Sequence, residues 1–364
     1  MKAKIETIKK IDRFIGPILA QVAVIFLPRR NTLSSTTPLR FLFIRPGGIG
    51  DAVLLVPAIS ALKKTFPGSS IDVLAEKRNA AVFLLCGDVN TVLQYDKPGD
   101  LVAAIRSGYD VVIDTEQWHR LSSVVARLTR APMLIGYDTN DRTKLFTHPI
   151  SYSHDDHEID SYLHLLEPLM ERNDIEIKPP FLSIFQQQSA DIRRYLLPLA
   201  GKRLISIFPG GSIRQKHWGN DRFHDALQLL VQQGYGIVLL GGEDDVLQAE
   251  EISGTQPSVI SVCGKLSLIE TAAIIKETDL LVSGDSGIMH MASALGTKVV
   301  ALFGPSNATK WAPRSEQSIV ISHPVECAPC SKYGYTPHCT RDVACMKQIT
   351  VNEVVNAVLS LLER

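Results

Sequence analysis

The sequence predicts an α/β protein made of two doubly wound parallel sheets. Short apolar runs alternate with helical patterns from Arg40 onward, and the alternation restarts at Leu204 after an irregular stretch. A chain of 364 residues is longer than one hydrophobic core usually supports, which favours two domains. We therefore expect two doubly wound domains that face each other across a cleft, an arrangement suited to two substrates.

Composition and charge exclude several classes of protein. The chain carries 38 basic and 38 acidic residues, whereas a nucleic-acid-binding protein should show a basic excess, so we expect no nucleic-acid partner. A hydrophobic content of 45% excludes a disordered chain. Six cysteines in a chain of this length exclude a scaffold held by disulfides.

The first predicted domain covers residues 39–190. Its predicted strands cover residues 41–44, 71–74, 91–94, 111–113 and 133–135, and its predicted helices cover residues 52–64, 79–85 and 119–129. Residues 151–200 break this rhythm, apart from a helical pattern near residues 162–171. We place the connection between the domains in this stretch.

The second predicted domain covers residues 191–348, and a C-terminal helix follows over 349–364. The predicted strands cover residues 204–208, 237–240, 259–262, 280–282 and 299–303, the last of the sheet. The predicted helices cover residues 223–233, 245–252, 268–276, 288–295 and 351–362. The two domains share an order of elements without being a sequence repeat.

Residues 1–38 form an apolar and basic segment followed by a polar linker. The apolar run over 14–27 is about 14 residues long, against roughly 20 for a spanning helix, and no small-residue cleavage site follows it. Basic residues flank the run on both sides. Two interpretations remain open: residues 8–30 lie on an anionic membrane surface, or they form a helix that packs on the protein itself.

The loop after the first strand reads Arg45-Pro46-Gly47-Gly48-Ile49-Gly50-Asp51. Its glycines allow close approach of the backbone to a ligand, but the spacing is not the G-x-G-x-x-G of a dinucleotide site, which argues against an NAD-dependent oxidoreductase. Asp51 is either a helix N-cap or a carboxylate directed into the cleft. A helix N-terminus stabilises the ionised form, so a base placed there is weak unless the site is desolvated.

Two further strand ends carry groups suited to a nucleotide. Gly210, Gly211 and Ser212 are followed by Lys216, and backbone N–H groups, a hydroxyl and a cation together suit a phosphate. Glu243, after Gly241-Gly242, either accepts hydrogen bonds from a ribose or simply begins a helix.

The next strand ends in Asp285-Ser286-Gly287, with His290 one turn later. Small polar residues at a helix start suit an anion, and His290 is either part of that site or a structural hydrogen-bonding residue. A hydrolase triad does not fit the order or spacing. With the polar loop at 303–307, these strand ends predict a nucleotide-diphosphate pocket in the second domain.

These loops resemble glycosyltransferase family 9, whose best-known members are ADP-heptose:lipopolysaccharide heptosyltransferases. The matching residues are Gly50-Asp51, Pro57, Leu62-Lys63, Pro67, Pro209-Gly210-Gly211, Lys216-His217-Trp218, Asp285-Ser286-Gly287, His290, Ala292, Ala294, Gly296 and Phe303-Gly304-Pro305. The resemblance implies a GT-B fold with an acceptor-binding first domain and an ADP-sugar-binding second domain. It also implies inverting, metal-independent transfer to a lipid-anchored glycan on the cytoplasmic face of a bacterial inner membrane.

The resemblance also assigns roles, with the ADP-sugar as co-substrate and no cofactor. Asp51 would be the catalytic base, and Lys216 would stabilise the leaving diphosphate. The donor-binding residues would be Gly210, Gly211, Ser212, Lys216, Glu243, Asp285, Ser286, Gly287 and His290, and the acceptor-side loop would include Arg45, Gly48 and Gly50. The alternatives are transfer from another nucleotide sugar and a non-catalytic nucleotide-binding protein of envelope assembly.

A cysteine-rich loop precedes the final helix. Cys327, Cys330, Cys339 and Cys345, with His323 and His338 nearby, have a spacing that could ligate zinc. Reduced thiols and disulfides are the other interpretations, and a cytosolic location disfavours disulfides. Only some members of the family carry this loop.

Overall fold

The computed structural model describes residues 2–26, 39–171, 177–185, 192–211, 213–332 and 335–364, with only the backbone for residues 2–10. It divides into two compact units, residues 1–177 and 178–364. The division falls before the predicted boundary at 190/191. The reason is that the backbone N–H groups of Phe181 and Leu182 both donate to the carbonyl of Ala294, which ties this stretch to the second unit.

The first unit contains one six-stranded parallel sheet in the order β3-β2-β1-β4-β5-β6. Its strands are β1 (Arg40–Arg45), β2 (Ser70–Ala75), β3 (Thr91–Gln94), β4 (Val111–Asp114), β5 (Met133–Tyr137) and β6 (His148–Ile150). Its helices are α1 (Lys2–Phe26), α2 (Ile49–Thr65), α3 (Ala80–Phe83), α4 (Pro98–Arg106), α5 (Arg120–Leu128) and α6 (Glu158–His164).

The predicted strands of this unit and the helices predicted at 52–64, 79–85 and 119–129 are confirmed, but α4 and β6 were not predicted. The helix predicted near 162–171 lies earlier, at Glu158–His164, and residues 165–169 form turns. The helix α4 is nine residues long and has helical apolar spacing, since Leu101, Ala104 and Ile105 pack in one core cluster. The strand β6 is a three-residue edge strand with Pro149 at its centre, and proline argues against a strand in the sequence pattern.

The second unit repeats this topology, in the order β12-β11-β10-β7-β8-β9. Its strands are β7 (Leu204–Phe208), β8 (Gly236–Leu239), β9 (Val259–Ser261), β10 (Leu280–Gly284), β11 (Lys298–Phe303) and β12 (Ser318–Ser322). Its helices are α7 (Arg193–Leu196), α8 (Asn220–Gln232), α9 (Val246–Ser253), α10 (Leu268–Glu277), α11 (Gly287–Ala294), α12 (Ala308–Trp311), α13 (Ala344–Lys347) and α14 (Val351–Glu363).

The expectation that β11 is the last strand was wrong, because β12 pairs with it as a further edge strand. None of the residues of β12 is fully buried, so this strand lacks the continuous apolar run typical of a central parallel strand. The final helix α14 was predicted correctly. Its apolar face, which includes Val354, Val358 and Leu361, packs into the core of the second unit.

In each sheet the strand order reverses between two central strands. The reversal lies between β1 and β4 in the first unit and between β7 and β10 in the second. In open α/β sheets the loops that follow such strands diverge and leave room for a ligand at the carboxyl edge. The loops after β1, β4, β7 and β10 are therefore the places where functional side chains are expected to meet.

The helix α1 packs on α5 with a face of small residues. Gly16 lies against Arg120, while Ala20 and Ala23 are buried in a cluster with Val124 and Leu145. The opposite face exposes large apolar side chains, namely Ile11, Phe14, Ile15, Ile18, Leu19, Val22, Ile25 and Phe26. The helix thus packs on the protein and also presents an apolar face. No helix among the described residues is both long and apolar enough to cross a membrane.

A buried carboxylate fixes α1 at the N-terminus of α5. Asp12 is only 3% exposed, and its Oδ1 accepts hydrogen bonds from the backbone N–H groups of Arg120 at 2.7 Å and Leu121 at 2.8 Å. Its Oδ2 lies 3.4 Å from His119 Nδ1. His119, the N-cap residue of α5, makes no side-chain cap hydrogen bond, so Asp12 supplies the cap from another helix.

Replacing Asp12 by alanine is expected to destabilise the first unit by about 0.5–2 kcal/mol, the usual cost of a lost cap. Burial alone would raise the pKa of Asp12, but His119 and the backbone N–H groups lower it below its ordinary value of 3.8. The stabilisation is therefore complete at neutral pH and is lost as the pH falls below about 4. Thermal unfolding of wild type and Asp12→Ala from pH 7 to 3 would measure this. A constant difference across that range would contradict it.

Candidate functional site

In the first unit, the loop after β1 is built around two glycines. Gly47 has φ +124°, and a side chain there would lie 2.7 Å from Nη2 of Arg45. A side chain at Gly48 would lie 3.0 Å from Oδ2 of Asp51. The loop therefore lies between a buried guanidinium on one side and the Asp51 carboxylate on the other, and glycine at 47 and 48 avoids close contact with both.

Asp51 is not the N-cap of α2. The cap position is Gly48, and Asp51 lies in the first turn, three residues further on, with Gly50 beside it. It is half-buried, and among the described residues none donates a hydrogen bond to its carboxylate. The cap interpretation is therefore wrong. The structure places its two carboxylate oxygens at the strand switch point.

Arg45 supports this loop from within the protein. It is 2% exposed, and its Nη1 donates to the carbonyl of Thr115 and to the hydroxyl of Tyr162, both at 2.8 Å. Its Nη2 lies 3.4 Å from Oε2 of Glu116. Arg45 thus joins the ends of β1 and β4. Because its side chain is buried, it stabilises the loop and is not exposed to a ligand.

Glu116 connects the same cluster to α5. Its Oε1 accepts hydrogen bonds from the backbone N–H groups of Trp118 at 3.0 Å and His119 at 3.3 Å. Burial alone would raise the pKa of Glu116, but the Arg45 guanidinium and other nearby cations lower it below its ordinary value. Burial likewise would lower the pKa of Arg45, yet Tyr162, Asp51 and Glu116 raise it, so the pair stays ionised.

In the second unit, Lys216 and Asp285 form an ion pair across the switch point. Lys216 Nζ lies 2.6 Å from Oδ2 of Asp285, and the two side chains are 19% and 9% exposed. His290 Nε2 lies 3.8 Å from the other carboxylate oxygen. Burial alone would raise the pKa of Asp285, but Lys216 and His290 hold it below its ordinary value. The carboxylate therefore orients two potential cations near the ends of β7 and β10.

Ser286 and Gly287 begin the helix that follows β10. Ser286 is the N-cap of α11, and its hydroxyl accepts from the backbone N–H of Met289 at 3.1 Å and bonds Ser283 at 2.9 Å. Gly287 is the first helical residue. The hydroxyl of Ser286 is thus engaged in capping, and what this turn offers an anion is the N-terminus of an α-helix.

The β7 and β8 loops pack on a carboxylate that the sequence did not single out. A side chain at Gly210 would lie 2.6 Å from Oδ1 of Asp245, and one at Gly241 would lie 2.6 Å from its Cβ. Asp245 also accepts from the backbone N–H of Gly242 at 2.9 Å. Gly211 lies against the ring of His217. Asp245 thus holds the two loops side by side.

Two residues that the sequence predicted to bind the sugar donor contribute little to the geometry of these loops. Glu243 is exposed in the short 3₁₀ turn Glu243–Asp245, directly after the β8 loop. That position leaves its carboxylate open to a ligand. Ser212 lies outside the described residues.

Comparison with known proteins decides the family. The model of glycosyltransferase family 9 (heptosyltransferase) matches residues 99–340, well over half of the chain. The chain belongs to glycosyltransferase family 9. It is similar to lipopolysaccharide heptosyltransferase 3 of Escherichia coli, with 29% identity over 74% of this chain and 85% of the relative.

Solved structures agree on the fold of this glycosyltransferase. ADP-heptose lipopolysaccharide heptosyltransferase II of E. coli has 21% sequence identity and a TM-score of 0.75, and it covers 89% of this chain and 99% of its own. A family 9 glycosyltransferase from Veillonella parvula has 21% identity and a TM-score of 0.78, over 91% and 99% of the two chains. The resemblance stated above and the α/β, GT-B fold class are confirmed.

The cysteine-rich segment of the glycosyltransferase packs behind the β11 loop. The backbone N–H groups of Cys330 and Ser331 both donate to the carbonyl of Pro305 at 2.9 Å, and a side chain at Gly304 would lie 2.5 Å from Sδ of Met346. All six cysteines are free thiols. Burial raises the pKa of the thiols of Cys330 and Cys345, which favours their protonated form. Among the described residues, no group of three or more His, Cys, Asp or Glu side chains is arranged for a metal.

Proposed function

We propose that this glycosyltransferase moves a heptose from an ADP-heptose donor to a lipopolysaccharide core or a related lipid-anchored glycan, with inversion and without a divalent metal. The observation that carries the proposal is the pair of strand switch points. One presents the carboxylate of Asp51 without a hydrogen bond from the described residues, and the other presents the Lys216–Asp285 pair beside a helix N-terminus. The two units thereby supply the two halves of a transfer reaction.

In the acceptor half, Asp51 acts as the general base. A hydroxyl of the acceptor attacks the anomeric carbon, its proton passes to the Asp51 carboxylate, and the bond between the sugar and the diphosphate breaks. The carboxylate lies in the first turn of α2, at the strand switch point after β1, where it can receive the proton of an acceptor hydroxyl. Gly48 and Gly50 let the backbone beside it come close to the acceptor, and Arg45 supports the loop from below.

In the donor half, negative charge grows on the leaving ADP. Lys216, held by Asp285, supplies the positive charge that meets it, and the N-terminus of α11 at Ser286 and Gly287 adds oriented N–H groups. The glycine loop at 210–211 lets the backbone come close to the diphosphate, and Ser212 and His290 donate further hydrogen bonds to it. The exposed carboxylate of Glu243 accepts hydrogen bonds from the ribose. A lysine in this role supports transfer without a metal ion.

The direct test is a donor screen with the purified protein. ADP-heptose, an ADP-hexose and UDP-sugars would be offered with a deacylated core oligosaccharide, in EDTA, and the anomeric configuration of the product would be read by NMR. We expect heptose transfer with inversion and full activity in EDTA. Transfer from a different nucleotide sugar would instead establish the alternative transferase, and activity only with added magnesium would contradict the metal-free mechanism.

Replacing Lys216 by alanine is expected to lower turnover by about 10²–10³-fold and to weaken donor binding, because the charge on the diphosphate loses its fixed cation. Steady-state kinetics with varied ADP-heptose would measure both. Lys276→Ala is the matched control, since this lysine lies in the last turn of α10, before β10 begins, at the opposite edge of the sheet. Unchanged turnover in Lys216→Ala would remove this residue from the site.

We also propose that residues 8–30 contact the inner face of the bacterial inner membrane, where a lipid-anchored acceptor would lie. Phe14 and Ile18 are 71% and 62% exposed, and Ile25 and Phe26 are 71% and 72% exposed, on the face of α1 that points away from α5. An exposed apolar stripe with basic flanks is typical of a helix that lies in the headgroup region of an anionic bilayer.

The double replacement Phe14→Ser and Ile18→Ser is expected to release the protein from anionic vesicles with little change in melting temperature. Removing the whole segment is a less clean test, because Asp12, Ala20 and Ala23 pack on α5. Co-sedimentation with phosphatidylglycerol vesicles at low and high salt would measure binding. Leu84→Ser is the control, since Leu84 is 51% exposed elsewhere in the same unit. Equal binding by both variants would contradict a contact through α1.

A further inference from the structure

Next to α1, the loop between β4 and α5 exposes an aromatic side chain. Trp118 is 40% exposed, whereas Trp218 is buried at 1% with its indole N–H bonded to the carbonyl of Ile349. Trp118 immediately precedes residues 119–121, which all contact Asp12 of α1. An exposed tryptophan beside an exposed apolar helix face therefore needs an explanation.

The direction of α1 places this loop at a defined edge of the sheet. Asp12 caps the N-terminus of α5, while Ala20 and Ala23, further along α1, share a cluster with Val124 of α5. The two helices therefore run side by side in the same direction. Because α5 begins where β4 ends, the Asp12 end of α1 lies at the carboxyl edge of the sheet, the edge that also carries the Asp51 loop.

The backbone at Trp118 is held on both sides. Its N–H donates to Oε1 of Glu116 at 3.0 Å, and its carbonyl accepts from Nδ2 of Asn140 at 2.7 Å. Glu116 in turn pairs with Arg45 beneath the Asp51 loop. The position of Trp118 is thus built into the same framework that supports the proposed acceptor side, so its exposure reflects a fixed position in the fold.

We infer that Trp118 and the outward face of α1 around Phe14 and Ile18 form one lipid-facing surface, which we term the α1–Trp118 surface. An indole combines a broad apolar ring with a polar N–H, which suits the level of the lipid headgroups. Exposed Arg13 lies on the same helix and favours an anionic bilayer over a neutral one. The bilayer then lies against the carboxyl edge of the first sheet, at the level of the Asp51 loop.

This inference rests on the proposed membrane contact and adds an orientation to it. A helix that merely tethers the protein would leave Trp118 in water when α1 binds. A surface that includes both α1 and Trp118 would bring the acceptor-side loop to the headgroups of the lipid that bears the acceptor. A short glycan could then reach Asp51 while its lipid stays in the membrane.

The test measures tryptophan emission of the full-length protein with phosphatidylglycerol vesicles, with and without lipids brominated near the headgroup. The wild-type minus Trp118→Phe difference isolates Trp118 from Trp218 and Trp311. We expect this difference spectrum to shift to the blue on binding and to be quenched by shallow bromines. Trp118→Ser should weaken vesicle affinity severalfold, while Trp118→Phe keeps most of it.

The outcomes separate the inference from the proposal beneath it. If the full-length protein does not bind vesicles, the membrane contact itself is wrong. If it binds through Phe14 and Ile18 while the emission of Trp118 stays unchanged, the contact stands and the orientation is wrong. A concentration-dependent dimer that buries Trp118 without vesicles would show that a second copy covers this surface, and it would also overturn the inference.

Discussion

Replacing Asp51 by asparagine is expected to lower turnover by about 10²–10⁴-fold, the usual contribution of a general base. The affinity for ADP should stay nearly unchanged, because the proposed diphosphate residues all belong to the second unit. Asparagine keeps the size and polarity of the side chain, but it cannot take the proton of the attacking hydroxyl. Initial rates with saturating donor and acceptor, together with calorimetric ADP binding, would measure the two quantities.

The structure provides the control for this experiment. Asp100 is also an aspartate in the first turn of a helix of the first unit, but its carboxylate accepts a hydrogen bond from the backbone N–H of Gln94. Asp100→Asn changes the charge near a helix N-terminus without touching the loop after β1. Turnover of Asp51→Asn within tenfold of this control would show that Asp51 is not the base.

The sequence predicted the positions of the candidate loops because the position of a loop follows from the position of the strands. The central strands are continuous apolar runs, so their ends are visible in the sequence, and parallel pairing brings those ends to one edge. This reasoning placed Asp51, Lys216 and Asp285 in loops at strand ends, and the observed strand order shows that these ends are the switch points. The ion pair between Lys216 and Asp285 joins residues 69 positions apart, so only the shared edge of the sheet made it foreseeable.

The side chains that hold the Asp51 loop in place from the β4 loop and from α6 were not predicted. Glu116 lies two residues after the end of β4, so the rule applied to the other strand ends would have found it, but the β4 loop contains no glycine and was not considered. Tyr162 lies 117 residues from Arg45, so no local pattern indicates their contact. Likewise, the role of Asp12 as a cap for α5 depends on a contact across 108 residues, which no local pattern encodes.

Arg45 is expected to have a large effect on the stability of the first unit, because it supports the loop that carries Asp51. Arg45→Met is expected to destabilise the first unit by about 3–5 kcal/mol, the usual cost of removing one partner of a buried ion pair. Glu116 would remain buried without its main cation, and the carbonyl of Thr115 and the hydroxyl of Tyr162 would lose a donor. Chemical denaturation monitored by circular dichroism would measure the loss.

Two comparisons identify the cause of this loss. Arg40→Met, at the exposed start of the same strand, should have a far smaller effect, since Arg40 is not part of the buried cluster. Adding Glu116→Gln to Arg45→Met should restore part of the stability, because the unpaired charge is removed. Because Arg45 lowers the pKa of Glu116 and burial alone would raise it, Glu116 should take up a proton at a higher pH in Arg45→Met than in the wild type, so the loss should shrink as the solution is acidified. A loss that is independent of pH and is not relieved by Glu116→Gln would mean that Arg45 stabilises the loop through packing alone.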